Sequence, residues 1–80
     1  MMRVRLKCYG VLRKYLPPAV RDNVAEIEVP AGIHIADLLR YLGVVEPQTR
    51  VFVNGLAIQD ELSQIPELAE VVLLIPAAGG

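Results

Sequence analysis

Cysteine and histidine occur once each in this 80-residue sequence, and that scarcity removes several chemistries at the outset. A single cysteine forms no internal disulfide. One cysteine and one histidine do not complete a typical zinc set. With His34 as the only imidazole, no Ser/His/Asp triad can be assembled. An excess of charge is also lacking. Eight basic and nine acidic side chains leave a net charge of −1, without the basic balance of a nucleic-acid binder. The longest apolar run, Val71 to Ala78, is broken by Pro76 and is far too short to span a bilayer. No charged-then-apolar leader opens the sequence. The glycines at 10, 32, 43 and 55 are single turn residues, not a phosphate loop. Asp60, Glu61, Glu67 and Glu70 lack metal-loop spacing and read as a solvated acidic surface. The expectation is a soluble cytoplasmic protein that engages neither nucleic acid nor membrane and binds no metal or cofactor itself.

What is present is apolar and well patterned. Hydrophobic residues make up 54% of the sequence and charged ones 21%, too apolar for disorder. Residues 1–80 read as one domain, small enough to be marginal on its core alone. The apolar excess suggests that some hydrophobic surface is kept for a partner.

Met2 to Cys8 alternates strictly, with Val4, Leu6 and Cys8 on one face and Arg3, Arg5 and Lys7 on the other. Period two predicts a half-buried strand, with Cys8 inside as an inert core thiol. Tyr9 to Leu16 reads as a turn or one short helix, stopped by Pro17-Pro18. Asn23 to Val29 is the second strand, with Ile27 and Val29 inward and Glu26 and Glu28 outward. Paired antiparallel with the first strand, those glutamates can face Arg5 and Lys7.

After the turn at Pro30-Ala31-Gly32, Ile35, Leu38, Leu39 and Leu42 fall at i, i+3, i+4 and i+7, the apolar stripe of a helix. His34 stands at the N-cap position, Asp37 in the first turn, Arg40 near the end and Gly43 just past it. That charge order and terminal glycine suit a helix dipole and cap. Arg50 to Val53 and Leu56 to Ile58 flank Asn54-Gly55, a strong hairpin signal. Gln59 to Glu67 reads as polar loop with one helical turn around Leu62. Val71 to Ile75 is a continuous aliphatic run, expected as a central strand buried on both faces. The order β, β, α, β, β, β predicts an α+β fold. Its mixed sheet has about five strands, the last one central and parallel to the first. A right-handed crossover lays the one main helix on one face.

The remaining candidate for chemistry is Gly79-Gly80. At a glycine frequency of about 7%, two in those places arise by chance about once in 200 chains. Glycine has no side chain, so such a segment can thread a narrow cleft and be held there by main-chain hydrogen bonds. A terminal carboxylate is ionised and unreactive at neutral pH. Adenylation would activate it, and a sulfur nucleophile could then displace AMP to leave a thiocarboxylate. Nothing in the sequence binds ATP, so a partner must perform that step.

Several motifs in order resemble the MoaD/ThiS family of sulfur carriers. They are Tyr9-Gly10-Val11-Leu12-Arg13, Pro30-Ala31-Gly32 before Ile35-Ala36-Asp37-Leu38-Leu39, Val51-Phe52-Val53-Asn54-Gly55, and Pro76 followed by Gly79-Gly80. The long segment through Leu16-Pro17-Pro18 looks more like the small, sulfur-carrier subunit of molybdopterin synthase than the shorter thiamine carrier. The resemblance implies a β-grasp, ubiquitin-like domain with a flexible tail over residues 76–80. It implies that Gly80 is adenylated by an E1-like enzyme using ATP and becomes the sulfur-bearing thiocarboxylate, with Gly79 as its slender neighbour. It also implies delivery to a molybdopterin synthase large subunit or an equivalent sulfur acceptor. The chain would then be a cosubstrate rather than a stand-alone enzyme.

Phe52, Pro76, Ala77 and Ala78 are the expected partner contacts, on the sheet face opposite the helix and along the tail. The sequence departs from the family pattern before the last strand. Glu67-Leu68-Ala69-Glu70 replaces an Asp-Gly-Asp-Glu-like turn, so the turn there must be built differently. Tungsten-cofactor, thiamine and other sulfur-transfer routes would use a similar carrier. A ubiquitin-like modifier joined through Gly80 and a pure interaction module remain as alternatives.

Overall fold

In the computed structural model, residues 1–18 and 22–76 are described. Five strands and one α-helix follow the predicted order. They are β1 (Met2–Cys8), β2 (Val24–Val29), α1 (Ile35–Leu42), β3 (Arg50–Val53), β4 (Leu56–Ile58) and β5 (Glu70–Leu74). A 3₁₀ turn, Gly10–Tyr15, follows β1. The strands form one sheet in the order β2-β1-β5-β3-β4. β5 lies in its middle, parallel to β1 and antiparallel to β3. The central, parallel placement of the last strand is as the aliphatic run predicts.

Residues directly opposite one another across a ladder share a face. One face therefore collects Met2, Val4, Leu6 and Cys8 of β1, Val71 and Leu73 of β5, and Val51 and Val53 of β3. All of these are buried, together with Ile35 and Leu38 of α1 and with Leu12, Ile33 and Ile65. Each such aliphatic side chain contributes roughly 1.5–3 kcal/mol by leaving water. This is the single core, and Cys8 lies within it.

The opposite face, called the outer face below, carries Arg3, Arg5 and Lys7, then Glu70, Val72 and Leu74, then Arg50 and Phe52. Here two expectations need correction. Val72 and Leu74 are only half-buried, so β5 is not buried on both faces. No element crosses over them among the described residues. The charge register also differs by two positions. Glu28 stands opposite Arg3 and Glu26 opposite Arg5, while Lys7 stands opposite Val24. The ion pairs come from Arg3, at 3.7 Å to Glu26 and 4.0 Å to Glu28. The inward alternation of Val4 and Leu6 against Ile27 and Ala25 is kept in this register, and exposed ion pairs of about 0–1 kcal/mol are too weak to select another.

Helix α1 starts and stops as its sequence indicates, but its N-terminus is capped from elsewhere. His34 occupies the cap position without a side-chain cap hydrogen bond. Instead Ile35 and Ala36 donate their N–H groups to the carbonyls of Ser63 and Glu61, each at 3.0 Å. The 59–67 segment therefore docks on the helix end. A hydrogen-bonded turn stands at Leu62, without a helix. Asp60 shapes it, its Oδ1 accepting from Leu62 N–H at 2.9 Å. At the C-terminus Gly43 takes φ 78, and the N–H groups of Gly43 and Val44 reach Arg40 and Leu39 carbonyls. That closure satisfies carbonyls the helix would otherwise leave open.

The turn before β5 is made without glycine. Leu68 itself adopts φ 63, in the left-handed region, while 68% exposed. Its N–H donates to the Arg3 carbonyl at 2.8 Å, which starts the parallel β1–β5 ladder. A left-handed conformation costs an L-residue about 1–2 kcal/mol, and an exposed leucine recovers little of it by burial. Leu68→Gly is therefore expected to raise stability by roughly 0.5–1 kcal/mol in urea denaturation. A clear loss would show that the Leu68 side chain contributes packing.

Candidate functional site

Strand direction determines where the candidate residues gather. β1 and β5 run in parallel, so Lys7, Cys8 and Leu74 approach the same end of the sheet. β3 runs the other way and begins there with Arg50. The chain leaves β5 at this end through Ile75 and the exposed Pro76. Pro47, Gln48, Thr49 and Arg50 form a groove with Ile75 and Pro76 at that exit.

The wall of this groove is held by a network that links residues 31 positions apart. Lys14 Nζ lies 2.7 Å from Glu46 Oε2. The Tyr15 hydroxyl donates to Glu46 Oε1 at 2.6 Å and accepts from the Val45 N–H at 3.1 Å. The Thr49 hydroxyl donates to the Glu46 carbonyl at 2.8 Å. The 3₁₀ turn after β1 is thereby pinned to the loop that supplies Pro47 to Arg50. Hydrogen bonds from Lys14 and then Tyr15 hold the Glu46 carboxyl at about 2, below its usual 4.5. Sequence reasoning missed this network, because nothing local relates Tyr15 to Glu46.

Of the expected partner contacts, the structure places Phe52 on the outer face, half-buried between Val72 of β5 and Ala57 of β4. Pro76 lies at the groove, two strand positions beyond Leu74. Ala77, Ala78, Gly79 and Gly80 lie outside the described residues, as does the expected tail apart from Pro76. Phe52, Val72 and Leu74 thus form a continuous apolar strip that leads toward the exit. Lys7 sits beside it with its Nζ 5.5 Å from the centre of the Tyr9 ring. The neighbouring Tyr9 raises the Lys7 pKa, so this side chain stays charged.

The other nucleophilic and titratable candidates are elsewhere. Cys8 is fully buried, and burial pushes its thiol up to about 11, so it is held as the unreactive thiol. His34 Nδ1 lies 3.5 Å from Asp37 on the helix side, far in sequence and topology from the groove. Among the described residues no cluster of three or more His, Cys, Asp or Glu could hold a metal ion. No helix among them is long and apolar enough to cross a membrane.

No protein-family model matches the chain, and no curated protein matches it by sequence. In structure it is similar to the crystal structure of SAMP1 from Haloferax volcanii. The TM-score is 0.68 at 17% sequence identity, over 98% of this chain and 99% of that one. The chain has the ubiquitin-like β-grasp fold, a five-stranded mixed sheet grasping one helix.

Glu46 provides a pH-dependent test of the pinned groove. Its carboxyl titrates lower in the folded state than in the unfolded one. Its contribution is therefore complete above 4.5 and is lost as pH falls through about 2. Glu46→Gln should melt at a lower temperature than the parent at neutral pH, and the two curves should converge as pH falls from 4.5 toward 2. A gap that stays constant down to pH 2 would contradict this role.

Proposed function

We propose that this protein is a sulfur carrier whose Gly80 carbonyl is the loaded group, acting most directly in molybdopterin-type cofactor biosynthesis. That Gly80 bears the free carboxylate is part of the proposal. So are a single domain over residues 1–80, a flexible tail over residues 76–80 and a place in the cytoplasm. The observation that carries the reading is the direction of β5. The sheet's central strand delivers the chain to an exposed Pro76, four residues before Gly80, at the end of a half-buried apolar strip. The ubiquitin-like fold and the motifs that resemble the MoaD/ThiS family support it from two sides.

The chemistry is divided between two proteins. A carboxylate oxygen of Gly80 attacks the α-phosphorus of ATP in an E1-like enzyme and pyrophosphate leaves. A sulfide-equivalent nucleophile then attacks the acyl carbon and AMP leaves, which forms the thiocarboxylate. In a molybdopterin synthase large subunit, or an equivalent acceptor enzyme, the thiocarboxylate sulfur attacks the acceptor carbon and displaces an oxygen leaving group; water then hydrolyses the resulting thioester, which leaves the sulfur on the acceptor and returns Gly80 as a carboxylate. In this scheme the carrier binds no cofactor. Gly79 lets the backbone pass through a cleft too narrow for a side chain. Phe52, Pro76, Ala77 and Ala78 contact the enzyme that holds the tail, the apolar strip supplying the dry centre of the interface.

A second reading is a ubiquitin-like modifier joined through Gly80 to lysines of other proteins. The likeness to SAMP1, a ubiquitin-like small archaeal modifier protein, favours it. Both readings share the adenylate and differ in the nucleophile that follows.

Reconstitution with the adenylating enzyme from the same cells, ATP and a sulfide source tests the proposal. The intact chain should gain about 16 Da as sulfur replaces oxygen in the covalent intermediate. Deletion of Gly80 and Gly79→Val should both abolish that gain while leaving the circular-dichroism spectrum unchanged. Normal sulfur transfer from the truncated chain would refute the carrier reading.

A further inference from the structure

Charge is distributed unevenly along the outer face, and the unevenness follows strand direction. In the half far from the exit, Arg3 and Arg5 stand against Glu26 and Glu28 of β2, and Arg5 also stands against Glu70 of β5. There three carboxylates offset two cations. In the half near the exit, Lys7 stands between Val24 and Val72. Arg50 stands beside Leu74, and β4 stops pairing one position short of it. Among the described residues, no carboxylate lies within 4.0 Å of either cation. Arg50 is exposed, and Lys7 stands over Tyr9, itself 40% exposed. A chain of net charge −1 therefore presents its tail root as an apolar strip with a cation on each side.

Lys7 and Arg50 are separated by two interstrand spacings and a two-residue offset, roughly 10–12 Å between backbones. The line from Val72 to Leu74 and on to Pro76 passes between them. We propose that the adenylating enzyme that receives the tail carries carboxylates on both sides of its cleft entrance, one to meet Lys7 and one to meet Arg50. An apolar projection between them covers Phe52, Val72 and Leu74. The inference rests on the carrier reading for where the tail goes, while the surface is defined without it. Charged rims steer encounter and orient docking, and the apolar centre supplies the affinity. Arg50 is suited to a bidentate carboxylate and Lys7 to a point contact.

Association of the full chain with the adenylating enzyme from the same cells tests this, at low and at physiological ionic strength. Wild type should associate faster at low salt. The double variant Lys7→Gln/Arg50→Gln should lose about tenfold in association rate at low salt and most of the salt dependence. The control Arg3→Gln/Arg5→Gln, in the half far from the exit where carboxylates face both arginines, should keep both. An unchanged rate and salt profile in Lys7→Gln/Arg50→Gln would overturn the proposal. Thiocarboxylate formation is followed in parallel, so the two readings can fail separately. Charge-dependent association without loading leaves the acidic cleft standing and removes the carrier reading. Full loading with charge-independent association does the reverse. Absence of any association by wild type removes both. Tighter binding of the same surface to a random single-stranded oligonucleotide than to the enzyme would also overturn an acidic protein as its occupant.

Discussion

Strand β5 is hydrogen-bonded along both edges, to β1 on one side and β3 on the other, and the rest of the molecule depends on that double pairing. It joins the β1–β2 hairpin to the β3–β4 hairpin, which otherwise share no ladder. Its inward residues, Val71 and Leu73, are fully buried at the centre of the core. Its start is fixed by Asn54, whose N–H donates to the Glu70 carbonyl at 2.8 Å and whose Oδ1 accepts from the Glu70 N–H at 3.0 Å. A strand held on both edges is thus the one that hands the chain to Pro76. A segment that emerges from such an anchor can be handled by another protein without unfolding the domain that carries it.

The same strand divides the molecule into two functional halves. Its inward side belongs to folding and its outward side, Val72 and Leu74, is left half-covered beside Phe52. These three side chains form a half-buried apolar strip that runs toward the exit. The Lys14–Glu46–Tyr15 network ties the 3₁₀ turn to the loop that borders the exit groove.

Much of this architecture was legible because its signals are local. Alternation from Met2 to Cys8 defined β1, the Ile35-Leu38-Leu39-Leu42 stripe defined α1, and Asn54-Gly55 defined the β3–β4 hairpin at its observed ends. The aliphatic run of β5 correctly marked a central strand. It overstated burial, because an aliphatic residue on a half-covered face reads the same in sequence as one in the core. The β1–β2 register was misjudged by two positions, since several opposite-charge pairings were available and none is strong enough to select itself. That slip hid Lys7, which appeared neutralised by a glutamate that in fact faces a different residue. The helix cap from Ser63 and Glu61, the Tyr15–Glu46 contact and the left-handed Leu68 were illegible for a shared reason. Each is imposed by tertiary neighbours against or beyond local preference. Of the candidate site, Phe52 lies on the outer face and Pro76 beside the exit groove, while residues 77–80 lie outside the described part of the chain.

The central claim is that Gly80 is the group on which partners act, and the protein as its own cells make it bears on this most directly. Mass spectrometry of the intact protein and of its C-terminal peptide, isolated from those cells without reducing or acid steps, reads the state of that residue. The account predicts a chain ending at Gly80 with a fraction heavier by about 16 Da, the mark of a sulfur-for-oxygen exchange at an activated acyl group. A chain that continues past Gly80, or Gly80 recovered solely as an isopeptide on other proteins, would contradict it.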